Sequence, residues 1–192
     1  MQTVRVHGAT LVGAEAELVT VEARFEPADR GRTEVVLSGL PDAVIREGRG
    51  RLLAALDANR LPLGPGRLVL NLVPAGVRKQ GEILDLPLAI GAVAAAGYLD
   101  AVPARALRRT LFLGEVGIDG RLHDVPGGLA VAFAARRNEL KDLVGPRATA
   151  GEASLLREVR AWSATSLGDV VAWVTRGGRG LAAASPPKAG AP

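Results

Sequence analysis

RLVLNLVPAGVRKQGEILDLPLAIGAVAAAGYLD, residues 67–100, decides the fold of this chain. Leu68, Leu70 and Leu72 alternate with Val69 and Val73, so both faces of the first stretch are apolar. That pattern predicts a strand inside a sheet. After a loop with Pro74 and Gly76, residues 85–96 form the most hydrophobic helix of the chain. Asp85 is read as its N-cap and Pro87 sits in its first turn, where a missing N–H costs nothing. A second glycine-bounded segment, TLFLGEVGIDGRLHDVPGGLAVAFAARRN, spans residues 110–138. It reads as a strand over 111–116, a turn at Gly120 and a helix over 127–137.

Outward from these segments, residues 4–9 and 18–25 read as strands, with Val21, Ala23 and Phe25 on one buried face. A polar turn covers 26–32, and a third strand over 34–38 ends at Gly39. Pro41 opens a helix that runs to about Asn59, with Val44, Leu52, Ala55 and Leu56 as its apolar stripe. Further on, Leu143 and Val144 begin a short strand, 151–157 is a short helix and 159–162 a strand. Ser166 opens a last helix, with Asp169 in its first turn. A run of strands followed by alternating strands and helices predicts an α/β fold of the α+β sandwich kind rather than a doubly wound sheet. Residues 1–176 form one domain, and 177–192, rich in Gly, Ala and Pro, read as a flexible linker.

The 192 residues suffice for one domain with a real core, 48% of them apolar. Aromatics make up only 3%, too few for a base-stacking platform. The absence of cysteine excludes disulfides, thiol catalysis and cysteine-ligated metals. The most apolar run, 84–99, is short of a membrane span and is interrupted by Pro87. No signal-peptide pattern opens the chain, so a cytoplasmic protein with no membrane partner is expected. The net charge is +4, and Arg176, Arg179 and Lys188 stand in an acid-free last stretch. The body before them is nearly neutral and has no large steering field.

The two segments resemble the Lon-protease-like domain, a fold of the ribosomal-protein-S5-domain-2 type. In that family the first segment supplies a serine nucleophile and the second a lysine base. Here the serine position falls on Leu84 or Asp85, and the lysine position after Gly127-Gly128-Leu129 is Ala130. No serine occurs between Ser38 and Ser154, and no lysine between Lys79 and Lys141. The resemblance therefore implies a degenerate dyad at Asp85 and Ala130, no catalytic residue and no peptidase activity.

Two non-proteolytic families share this framework: the C-terminal domain of RadA and the N-terminal domain of the ComM/YifB proteins, which are magnesium-chelatase-like AAA+ ATPases. The second resemblance is carried by SGLPD at 38–42, NLVPA at 71–75, KQG at 79–81, DLPLA at 85–89 and LGEV at 113–116. It covers nearly the whole chain up to about Gly177. It implies a magnesium chelatase ChlI-type, Lon-like domain whose linker leads to an AAA+ domain in cis. It implies assembly as a homo-oligomer, a hexameric ring at full length. It also implies a DNA context, in recombination or natural transformation, with branch migration or helicase action. A phosphate-cradling Walker A loop needs glycines followed by Lys and Ser or Thr, and none of Lys79, Lys141 and Lys188 follows such a loop. The chain is thus expected to be no enzyme and to hold no cofactor, with ATP and magnesium only in the AAA+ domain.

His7 and His123 lack spaced partners, so no metal site is assigned. Asp119 and Asp124 read as turn residues, and the Gly127-Gly128 pair as a tight turn rather than an anion cradle. The DNA-binding candidates are Arg78 and Lys79, read as projecting from the end of the sheet, and Arg46 and Arg49, with Arg51, on the first helix. A guanidinium suits phosphate because its fork is planar and always charged. Arg105, Arg108, Arg109, Arg136 and Arg137 are further cations, read first as solvated helix faces. Two alternatives stand beside the DNA reading. One is an interaction or oligomerisation module without DNA contact; the other is a divergent Lon-like hydrolase using Asp85.

Overall fold

Alternation builds one half of the sheet. The structure, a computed structural model, describes residues 3–79, 81–100, 102 and 104–187. Lys188 and the side chains of Val44 and Arg105 lie outside what is described. Strands β1 (Val4–Val12) and β2 (Glu15–Pro27) form a hairpin in which Val6 faces Val21 and Gly8 faces Val19. Strand β3 (Thr33–Ser38) leads through α1 (Asp42–Ala58) to β4 (Gly66–Val73), which pairs with both β2 and β3. A 3-10 turn (Glu82–Leu84) feeds α2 (Asp85–Ala95), followed by α3 (Ala104–Arg108) and β5 (Thr110–Phe112). The rest is a hairpin of β6 (Glu115–Val116) and β7 (Leu122–His123), then α4 (Gly128–Arg137), β8 (Asp142–Gly145), α5 (Arg147–Ala153), β9 (Arg160–Ser163), α6 (Leu167–Thr175) and β10 (Ala182–Ala183). The main sheet has the order β10-β9-β8-β5-β1-β2-β4-β3. Its pairings make β1, β3, β4, β5, β8 and β9 run one way and β2 and β10 the other. The chain thus adopts an α/β fold.

Glycine sets how closely α2 approaches. A Cβ on Gly8 would lie 2.7 Å from Pro87 Cγ, and one on Gly91 3.2 Å from Val21 Cγ1. Every residue from Asp85 to Ala94 is buried. Helix α4 covers the other face, because Gly127 at its start lies against Leu11, and Leu11 points away from the side that Gly8 gives to α2. Ser166 caps α6 with a reciprocal capping box to Asp169, as its sequence indicates.

Four readings need correction. The strand expected over 111–116 breaks after Phe112. Gly114 turns the chain at φ 149°, and Glu115 and Val116 pair with His123 and Leu122 instead. The helix expected over 151–157 is Arg147–Ala153, because the Asp124 carboxylate accepts the amides of Ala148 and Thr149 at 2.7 and 3.1 Å and starts it earlier. The linker boundary at 177 is too early, since Ala182 and Ala183 pair with Ser163 and Trp162 as an edge strand. Asp85 is not the cap of α2. The 3-10 turn runs straight into the helix, Leu84 occupies the N-cap position, and no side chain bonds there.

Gly8→Val should push α2 off the sheet and cost about 1–3 kcal/mol, read as a lower melting temperature. Gly76→Ala, at a position with open space around it, should change the melting temperature little.

Candidate functional site at the carboxyl ends of the parallel strands

Strands β3 and β4 both end where α1, the 74–81 loop and α2 begin, so the chemistry singled out by the sequence gathers at one end of the sheet. Asp85 is its centre. Only 9% of Asp85 is exposed, and its carboxylate accepts Nε and Nη2 of Arg51 at 3.0 and 3.1 Å. The amide of Val116 donates to the same carboxylate at 3.3 Å. Burial pushes the Asp85 carboxyl up to about 6, against the opposing pull of the Arg51 guanidinium and the Val116 amide. The bond to Asp85 in turn raises the Arg51 pKa. This pair ties α1, α2 and the β6–β7 hairpin together. No local sequence signal announces a partner 34 residues away. A carboxylate so engaged holds elements in place, which leaves the hydrolase reading without a free base. The small hollow beside it is walled mainly by Val35, Leu37, Leu52 and Leu88.

The basic candidates separate. Lys79 does not project: it is 6% exposed, and its Nζ donates to the carbonyls of Pro74 and, at 3.0 Å, Val77. It staples its own loop, and burial lowers its pKa. Arg78 beside it is exposed and makes no side-chain bond to a described residue. Its carbonyl accepts Thr10 Oγ1 at 3.4 Å, which anchors the loop to β1. Arg46 is exposed and equally unengaged on α1. Arg49 is half-buried, with Nε enclosed and without a hydrogen-bond partner. Arg136 and Arg137 are paired to Glu158 and Glu15 at 3.1 and 3.4 Å, and Arg136 also lies over the Phe133 ring.

Ala130 lies on α4, across the sheet from Asp85, in a shallow hollow with Ala16 and Phe133. The two dyad positions are therefore on opposite faces. The Gly127-Gly128 turn has Gly127 at φ 87°, and its Gly128 amide already donates to Glu152 Oε2 at 2.9 Å. A side chain of this protein thus takes the place an anion would have. Asp119 bonds the Arg121 amide within its turn at 3.0 Å.

With this geometry in place, the comparisons locate the chain. The family model described as subunit ChlI of Mg-chelatase matches residues 21–149. The chain belongs to this magnesium-chelatase-like family. It is 32% identical to the competence protein ComM of Haemophilus influenzae over 166 residues, 86% of this chain and 31% of that protein. It is 35% identical to an uncharacterized protein of Mycobacterium tuberculosis over 180 residues, 93% of this chain and 34% of that one. It is 32% identical to the uncharacterized protein YifB of Escherichia coli over 139 residues, 72% of this chain and 26% of YifB. The chain therefore spans about a third of the length of these relatives.

The match corrects two expectations. A chain that is no enzyme and holds no cofactor is not what this family implies: it is a family of ATPases, in which ATP and magnesium are expected, and its model matches residues of this chain itself. Both expectations are withdrawn. The described residues, however, do not fit a nucleotide cradle. The Lys79 amine is spent on two carbonyls. Lys141 precedes β8 and follows no glycine loop. Among the described residues no group of three or more His, Cys, Asp or Glu could hold a metal ion. No catalytic step through ATP is derived from them. No helix among the described residues is long and apolar enough to cross a membrane.

Two outcomes test this site. Lys79→Met should lower stability by about 1–3 kcal/mol, because the loop loses the charged donor that bridges the Pro74 and Val77 carbonyls, while Arg78→Ala leaves the melting temperature unchanged. The Asp85 pKa lies above its unfolded value, so the folded state takes up the proton first. Its contribution is complete below about pH 4 and is lost as pH rises through about 6. Denaturant melts of the parent against Asp85→Asn should show the parent losing stability relative to the variant between those limits, by about 1–3 kcal/mol.

Proposed function

We propose that this chain is part of a ComM-type, nucleotide-driven assembly that engages DNA during recombination or natural transformation, as a homo-oligomeric ring. The observation that carries this reading is the 32% identity to a competence protein over 86% of the chain. The activity of such an assembly belongs to the whole protein, of which relatives have about three times this length. An AAA+ portion in cis would follow this domain, edge strand Ala182–Ala183 included, in that longer protein. The part proposed for this chain is contact with the phosphate backbone by Arg46 and Arg78. Both are exposed, both lack ion-pair partners among the described residues, and both belong to elements at the carboxyl ends of β3 and β4. The chain's charge outside its last stretch is close to zero, so affinity must come from such local contacts.

Arg46→Ala with Arg78→Ala should weaken duplex binding evenly across sequences. The combined change should lower the salt slope of log K by about two units, about 0.9 for each phosphate contact. Fluorescence anisotropy on a labelled duplex over a salt series measures this. Unchanged affinity and slope in the double variant would remove these residues as contacts. Absence of duplex binding at low salt by the parent would favour a protein-interaction module instead.

A further inference from the structure

The structure gathers both tryptophans of the chain at the opposite end of the sheet, beside the amino ends of β5, β8 and β9. They are more than ten residues apart and on different elements, Trp162 on β9 and Trp173 on α6. Their ring centroids are 6.0 Å apart with planes tilted by 48°. They line a groove of about 730 Å³ with Arg109, Asp142, Arg160 and the Gly177-Gly178 turn. That size is within the usual range for small-ligand clefts.

The polar groups of the groove are unevenly satisfied. Asp142 accepts Trp162 Nε1 at 2.8 Å and Arg160 Nη2 at 2.7 Å, which fixes both side chains. Arg109 is exposed and bonds no described side chain. Its backbone carbonyl accepts the Lys141 amide at 2.9 Å, and the Lys141 carbonyl accepts the Arg160 amide at 2.9 Å. The groove lining thus carries two arginines against one carboxylate, and that carboxylate engages Arg160 and leaves Arg109 unpaired among the described residues. Trp173 Nε1 is enclosed and has no hydrogen-bond partner. An enclosed donor without an acceptor is costly, and few are retained without a reason. Trp173 is only 5% exposed, and a Cβ on Gly178, in a turn with φ 66° and 86°, would lie 3.5 Å from its Cζ2.

We infer that this groove binds a nucleotide unit of single-stranded nucleic acid, a proposal that rests on the DNA reading above but uses a separate surface. The ligand must offer a planar ring for contact with the partly exposed Trp162 indole and an anion for the unengaged Arg109 guanidinium. A nucleotide offers both: a base with a π face, and a phosphate for Arg109. In a duplex the base faces are stacked on their neighbours, so the strand must be single. The low aromatic content excludes a long stacking platform, and the groove needs only one base.

Intrinsic fluorescence reads this site directly, since no tryptophan lies elsewhere in the chain. Titration with a short oligothymidylate should quench emission saturably. Arg109→Ala, a rim substitution that removes no bond to a described side chain, should weaken that binding at least about five-fold and lower the single-strand salt slope by about 0.7. Arg109→Lys should recover part of the affinity. Arg46→Ala with Arg78→Ala should leave the quenching intact, so failure of the groove and failure of the duplex contacts are read separately. Oligothymidylate binding seen by anisotropy without quenching, or quenching unaffected by Arg109→Ala, overturns the proposal. Equal quenching by thymidine monophosphate and by the oligomer, at equal affinity, overturns the strand and leaves a free-nucleotide site. No binding of either probe at low salt overturns the groove as a nucleotide site.

Discussion

Helix α2 is enclosed on every side, and that constraint propagates through the molecule. The sheet lies beneath it, α1 and α6 beside it and the β6 hairpin at its start. The approach is close because Gly8 and Gly91 carry no side chain where the two surfaces meet. A helix with no solvent face tolerates polar groups only if they are matched internally. Asp85 is the one carboxylate in it, and Arg51 and the Val116 amide supply the match. The same end of the sheet must close the 74–81 loop over the start of that helix. Lys79 does so by donating its amine hydrogens to backbone carbonyls of the loop. The two most basic-looking features of this region are therefore consumed by architecture, and Arg51 and Lys79 become unavailable to a ligand.

That consumption explains why charge counting along the chain misleads. Twenty-one arginines invite a nucleic-acid reading, but ion pairs neutralise several of them. Arg136 and Glu158 are 22 residues apart, Arg137 and Glu15 are 122 apart, and neither pairing leaves a local trace. Exposed pairs of this kind contribute little to stability. They do remove cations from use, while Arg46 and Arg78 at one end of the sheet and Arg109 at the other are among those left without an ion pair among the described residues.

The legible parts of the sequence were those governed by short-range periodicity. The alternation over 67–73, the apolar run of α2 and the Ser166–Asp169 box all give their elements within a residue or two. The family resemblance was legible too, through motifs placed at strand ends. What failed depended on tertiary partners. Gly114 breaks a strand because β7 offers the following residues a better pairing. Asp124 starts α5 early from 24 residues away. Two alanines in a stretch with linker composition become a strand because β9 has an open edge. Lys79 reads as a surface cation until the carbonyls that enclose it are known. The tryptophan groove has no sequence signature, since its residues come from α3, three strands, α6 and the turn after it.

The two surfaces left with unengaged cations differ in kind. Near Arg46 and Arg78 the unengaged groups singled out are guanidinium groups, which suit contact with a phosphate backbone whatever its sequence. Near Arg109 a guanidinium stands beside the Trp162 indole, held in place by Asp142, which suits a base whose face has been freed. A protein with a nearly neutral body cannot hold a nucleic acid by its overall field. It must rely on a few placed contacts, and the two proposed here lie at opposite ends of one sheet. Paired and unpaired regions of one nucleic acid present these two chemistries, a continuous backbone and a bare base. The fold therefore sets the separation between the contacts, and the sheet that packs α2 so closely keeps that separation fixed.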